Sequence, residues 1–152
     1  MTFRFSLQKI LELRKTEAMD AQKQVNETQS SIFKLKELLE REKNLYFSDR
    51  DGLNIVVQKF EATEIKIYEK SLAIRQSKMM DLLKSIRDVQ NELKIQERNL
   101  MQAKLNQRVI EKLSALREKE YEAEQTRNEQ YLLDEMAALS FIKSRLEDES
   151  NE

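Results

Sequence analysis

The sequence contains no cysteine, histidine, proline or tryptophan, and its only glycine is Gly52. Without cysteine, the chain can form neither a disulfide framework nor a thiolate nucleophile. Without histidine, it lacks the commonest general base and the commonest ligand for zinc and other transition metals. These absences predict that the protein is not an enzyme and that it holds no cofactor or metal ion.

The sequence also lacks an excess of one charge, because 27 basic residues nearly balance 28 acidic residues. There is thus no overall positive field to attract nucleic acid. No apolar run approaches the roughly 18 residues that would span a bilayer. We therefore expect no nucleic-acid partner, no small-molecule substrate and no transmembrane segment.

Helix-forming residues make up most of the chain, and 36% of all residues are charged. An apolar repeat at intervals of three and four residues in such a composition is typical of a coiled coil. The repeat predicts a first helix over about 5–48. One set of its seam positions recurs every seven residues: Leu11, Ala18, Val25, Ile32, Leu39 and Tyr46. The alternate set is Leu7, Arg14, Ala21, Thr28, Leu35 and Glu42.

The only turn signal is the Asp-Gly pair at Gly52, which predicts a break over 49–53. A second helix is expected over about 54–75, with Leu53, Phe60, Ile67 and Ile74 recurring every seven residues. A third is expected over about 77–145, before a disordered tail at 146–152. Its early seam comprises Leu82, Ile86, Val89, Leu93 and Leu100, and its late seam comprises Leu132, Leu139, Ile142 and Leu146.

The strength of the apolar repeat along the chain predicts where it folds back. Strong repeats at both ends favour a pairing of Leu7 with Leu139, which places the reversal near residues 72–75. The predicted fold class is all-α: a long antiparallel two-stranded coiled-coil hairpin, broken near Gly52, in a single domain over residues 1–152.

Two segments resemble a known family. The opening FRFSLQKILELR, Phe3 to Arg14, is similar to the start of the flagellar export protein FliJ. The stretch from Arg108 to Ala137 is similar to another part of that family. Its pattern appears here in Arg108, Glu111, Lys112, Leu113, Tyr121, Glu124, Glu129, Gln130, Leu133, Asp134, Glu135 and Ala137.

This resemblance implies a cytoplasmic component of the flagellar type III export apparatus, associated peripherally with the inner membrane and serving motility. Such proteins form a helical hairpin similar to the rotor shaft of rotary ATPases. The resemblance implies three partners: the export ATPase hexamer, the cytoplasmic part of the membrane export gate, and export chaperones. The end that carries the termini would enter the ATPase ring and promote its activity.

Candidate contacts combine this resemblance with apolar or family-pattern residues that lie off the predicted seam. For the ATPase end they are Gln8, Leu13, Arg14, Gln130, Leu133, Asp134 and Phe141. For the gate end they are Phe33, Tyr46, Phe47, Tyr68, Leu72 and Met79.

Two alternatives stay open at this point. The chain could be a general coiled-coil scaffold or tether that forms homodimers through the same seams. It could also be the equivalent stalk protein of a virulence secretion system, whose members are similar.

Overall fold

The computed structural model describes residues 2–152, which form two helices, α1 (Gln8–Gln58) and α2 (Ala62–Ser150). No strand occurs within these residues. Neither helix contains, in the described part of the chain, an apolar stretch long enough to cross a membrane. The predicted all-α class is confirmed.

The chain divides into two compact units. One comprises Thr16–Lys104, with the inner parts of both helices and the turn between them, and is called the central unit below. The other comprises Met1–Lys15 together with Leu105–Glu152 and is called the terminal unit. The single-domain organisation stays a prediction.

In the central unit α1 and α2 lie side by side and antiparallel. Thr28 bonds Gln96, whereas Tyr46, farther along α1, bonds Gln76, which is earlier in α2. Residues later in α1 thus bond to residues earlier in α2, which means that the two helices run antiparallel. The predicted coiled-coil hairpin is therefore confirmed.

The seam of α1 is the one that the heptad repeat predicts. Every third or fourth side chain turns inward, because that spacing returns to the same helix face. The buried seam positions are Leu11, Ala18, Val25, Thr28, Ile32 and Leu39, and the half-buried ones include Ala21, Leu35, Glu42 and Tyr46.

The seam of α2 differs from the prediction near the turn. The expected repeat of Phe60, Ile67 and Ile74 is wrong, because all three side chains are exposed. Farther along α2 the expected early seam from Leu82 to Leu100 is confirmed, whereas the expected late seam from Leu132 to Leu146 is wrong, because its side chains are exposed. The inward-facing residues are Ile65, Tyr68, Leu72, Arg75, Met79, Leu82, Ile86, Val89, Leu93, Gln96 and Leu100, of which Ile86 is buried and the others half-buried.

The predicted break at Gly52 is also wrong, because α1 continues through this residue to Gln58. A Cβ atom at Gly52 would lie 2.8 Å from Cε1 of Tyr68. The glycine allows the Tyr68 ring to approach the backbone of α1, and its φ angle is not positive. Close approach of the Tyr68 ring therefore explains this residue, and the Asp-Gly turn signal does not.

The chain reverses between the two helices at residues 59–61, and not near 72–75 as predicted. The amide of Lys59 donates to the Val56 carbonyl at 3.1 Å, and the amide of Phe60 donates to the Val57 carbonyl at 3.3 Å. Phe60 has a φ of 58°, the left-handed conformation that ends many helices. Glycine usually occupies such a position, so the sequence contains no conventional signal for this turn.

The earlier reversal merges the second and third predicted helices into α2. The predicted interruption near residue 76 is therefore absent from the described chain, since the seam runs through Arg75 and Met79 without a change of spacing. The helix also extends through most of the predicted disordered tail, to Ser150. At the other end α1 begins at Gln8, three residues after the predicted start.

Candidate partner-binding surfaces

The last part of α2, in the terminal unit, has no packing partner among the described residues. Every side chain from residue 122 to residue 152 is exposed. The predicted packing of Leu139 against Leu7 is therefore wrong, because Leu139 is 67% exposed. An exposed helix of this kind presents apolar side chains that normally mark a binding surface.

One face of this segment carries a line of large apolar side chains. Leucines recur every seven residues, and two further apolar residues lie beside them at helical spacing. We call this surface the leucine face; it consists of Leu132, Met136, Leu139, Ile142 and Leu146, all of them exposed.

The candidate ATPase contacts on α2 lie on a different side of the same helix. At about 100° per residue, Leu133 lies about 100° and Phe141 about 180° around the helix from Leu132. Both are exposed, and Gln130 donates a hydrogen bond to Asp134 at 3.0 Å on this side. We call this surface the outer face; it consists of Gln130, Leu133, Asp134 and Phe141.

The candidate ATPase contacts on α1 are not brought to the outer face. In the terminal unit the ring of Phe3 lies 5.6 Å from the ring of Tyr121, so the beginning of the chain lies beside that part of α2. Gln130 is farther along α2, roughly 13 Å beyond Tyr121 at the helical rise. Gln8 and Leu13 are exposed and Arg14 is half-buried in the seam. The structure therefore separates this candidate site into two surfaces.

The gate-end candidates also divide into two groups. Tyr46, Tyr68, Leu72 and Met79 are half-buried between the helices of the central unit. The Tyr46 hydroxyl accepts a hydrogen bond from Gln76 Nε2 at 3.3 Å. These four side chains hold the helix pair together. Phe33 and Phe47, in contrast, are 64% and 54% exposed and available to a partner.

A charged layer lies beside Tyr46, because Glu42 and Asp49 flank this residue at helical spacing. Arg75 Nε donates to Asp49 Oδ2 at 2.6 Å, and Arg75 Nη1 contacts Glu42 Oε2 at 3.2 Å. The Ser71 hydroxyl donates to the same Asp49 oxygen at 2.5 Å. The hydrogen bonds from Ser71 and Arg75 hold the pKa of Asp49 below its ordinary value of 3.8. The layer links Glu42 and Asp49 of α1 to Ser71 and Arg75 of α2 and fixes the register of the helix pair.

The turn carries a pair of interacting carboxyl groups. A hydrogen bond between the side chains of Glu61 and Glu64, reinforced by the charge of Glu61, raises the pKa of Glu64 above its ordinary value of 4.5. No cluster of three or more potential metal-ligating side chains occurs among residues 2–152.

The sequence contained a signal for the leucine face that the seam interpretation missed. The repeat that includes Ile110 changes phase before Leu132, inside a polar stretch with few apolar residues. The half-buried positions of α2 end at Tyr121, within this same stretch. The phase change therefore marks the end of the paired region.

Comparison with known proteins identifies one family. The family described as flagellar FliJ protein matches residues 3–146, which is nearly the whole chain. No curated protein and no solved structure matches the chain. Because the family match spans far more than half of the sequence, this chain belongs to the FliJ family of flagellar proteins.

Proposed function

We propose that this protein is a non-enzymatic part of the flagellar type III export apparatus that binds the export ATPase through the outer face of α2. Membership of the FliJ family supports a role in flagellar export. Contacts with the ATPase ring, the gate and the chaperones are part of the proposal. We propose that the protein remains in the cytoplasm and reaches the membrane only through the export apparatus.

The observation that carries the proposal is the exposure of Leu133 and Phe141. Both large apolar side chains lie on a helix segment that no other element of the described chain covers. Burying one such side chain at an interface contributes about 1.5–3 kcal/mol. A ring that encloses this segment would cover both residues at once, as it would the shaft of a rotary ATPase.

A second contact is proposed for the central unit, where Phe33 and Phe47 are exposed. Exposed aromatic side chains are frequent anchors of protein interfaces. We assign these two residues to the export gate or an export chaperone. The helix pair that carries this surface would be stabilised by the half-buried side chains of Tyr46, Tyr68, Leu72 and Met79.

The test is a binding assay between the full chain and the export ATPase of the same organism, together with the rate of ATP hydrolysis. Leu133→Asp and Phe141→Asp are each expected to weaken binding at least tenfold and to reduce stimulation of hydrolysis. Leu13→Asp tests the α1 surface separately. Met101→Asp is the matched control, because Met101 is an equally exposed apolar residue of α2 outside both surfaces.

The proposal fails if the unaltered chain neither binds the ATPase nor changes its rate. It also fails if Leu133→Asp and Phe141→Asp bind as well as Met101→Asp while circular dichroism shows the same helix content in all three.

A further inference from the structure

We propose that the leucine face binds the leucine face of a second copy of this chain, in an antiparallel coiled coil. The face is a seam without a partner: Leu132, Leu139 and Leu146 recur at heptad spacing and all are exposed. A heptad repeat of leucine is the pattern by which one helix packs against another. The occupant must therefore be a helix, and the charges around the seam indicate which one.

The charges favour a second copy in the opposite direction. With leucines at heptad position a, Glu129 and Lys143 both fall at flanking position e, on the same edge of the seam. When two copies lie antiparallel about an axis near Met136, Glu129 of one faces Lys143 of the other, and the reverse pair forms by symmetry. Each dimer then contains this ion pair twice.

The other edge of the seam is complementary as well. Tyr131 and Arg145 both fall at flanking position g, and the same antiparallel register brings Tyr131 of one copy to Arg145 of the other. An arginine guanidinium stacks favourably on an aromatic ring. The core layers of this register pair Leu132 with Ile142, and between these layers Leu139 of one copy faces Glu135 of the other.

A parallel dimer would lack these pairs. In a parallel pair, position g of one helix faces position e of the other, so Glu124 would lie beside Glu129 and Lys143 beside Ala138. Like charges at such flanking positions oppose pairing. Glu135 lies in the seam in either orientation, and a charged residue there weakens association. The dimer is thus expected to form reversibly at micromolar concentration.

The outer face stays free in this dimer. Leu133 and Phe141 fall at positions b and c of the heptad, which point away from the partner helix. Self-association therefore leaves both side chains exposed, but a ring that encloses the whole segment would displace the second copy. The dimer is tested without the ATPase, so the inference holds or fails independently of the proposed function.

Sedimentation equilibrium of the full chain over a range of concentrations tests the dimer. The unaltered chain is expected to dimerise, and Leu139→Asp to raise the dissociation constant on the order of 100-fold. Leu133→Asp is the matched control, since it places the same carboxylate on the outer face and should leave the dimer intact. A chain that stays monomeric, or an equal loss with Leu133→Asp, overturns the proposal.

A charge exchange tests the antiparallel register. Glu129→Lys and Lys143→Glu are each expected to raise the dissociation constant roughly tenfold at low salt, because each turns two ion pairs into two repulsive contacts. The double variant restores the pairs in reverse and should dimerise like the unaltered chain. If the double variant dimerises no better than the single variants, the antiparallel register is wrong.

Discussion

The Thr28 hydroxyl donates a hydrogen bond of 2.5 Å to Oε1 of Gln96, linking α1 to α2 inside a seam that is otherwise mainly apolar. Thr28 is buried, and Gln96 also donates to Glu92 Oε1 at 3.3 Å. A polar pair at one seam position penalises every register that would separate its members. The pair thus selects the alignment of the two helices in the central unit.

We expect Thr28→Val to lower the free energy of unfolding by about 0.5–1.5 kcal/mol, because Gln96 loses a hydrogen bond that the valine cannot replace. Gln96→Leu alone should lower the free energy of unfolding by a similar amount. The double variant should cost less than the two single variants together, since neither polar group is then left without its partner. Urea unfolding of the four proteins measures this coupling, and strictly additive changes would contradict it.

A second prediction concerns Gly52. Alanine normally stabilises the interior of a helix by about 1 kcal/mol relative to glycine. Here the new Cβ would meet the Tyr68 ring at 2.8 Å, so Gly52→Ala is expected to destabilise the protein by about 1 kcal/mol. In a Tyr68→Ala background the same change should stabilise it. Thermal unfolding of the four proteins checks the change of sign, and stabilisation in both backgrounds would show that the contact is unimportant.

The third prediction follows from the lowered pKa of Asp49. Its ordinary value is 3.8, and the hydrogen bonds from Ser71 and Arg75 lower it in the folded protein. The unfolded chain therefore binds this proton more readily, so stability from Asp49 is fully present above the ordinary value. It is lost as the pH falls from about 4 through the folded pKa.

Asp49→Asn should accordingly reduce the slope of stability against pH below about pH 4. Asp51→Asn is the control, because Asp51 is exposed on the same helix and shows none of these hydrogen bonds. Urea midpoints measured from pH 2.5 to 6 provide the comparison. Identical slopes for the Asp49→Asn variant and the unaltered chain would contradict the prediction.

The residues that were predicted correctly are those whose environment depends on local periodicity. Val25, Ile32 and Leu39 recur every seven residues in one uninterrupted helix, so the repeat alone identifies the buried side of α1. The turn could not be predicted in this way, because Phe60 adopts a left-handed conformation that its side chain does not favour. The break predicted at Gly52 was wrong because the glycine is needed for a contact with Tyr68, which is distant in sequence and appears only in the folded structure.

The candidate contacts were less predictable because a repeat does not identify its partner. Leu132 and Leu139 have the spacing of a seam, and the sequence alone cannot distinguish a seam filled within the chain from one left exposed. An error in the position of the turn then moved every predicted pair. Leu133 and Phe141 lie off the seam in either arrangement, so their exposure did not depend on the fold-back point.

The last prediction concerns the unequal stability of α2. In the central unit its seam packs against α1, whereas from residue 122 onward the helix has only its own hydrogen bonds. A helix without tertiary packing is marginally stable in water, so its amides open locally. In the Leu139→Asp variant, expected to be monomeric, amides of residues 125–150 should exchange with protection of only about tenfold. Amides at Val25, Ile32 and Ile86 should be protected by several orders of magnitude more, as measured by hydrogen exchange with NMR detection.

Met101→Asp provides the comparison, since it carries the same change but keeps the leucine face and should regain protection over 125–150 as its concentration rises. Equal protection along the whole of α2 in dilute Leu139→Asp would mean that something within the chain covers the segment.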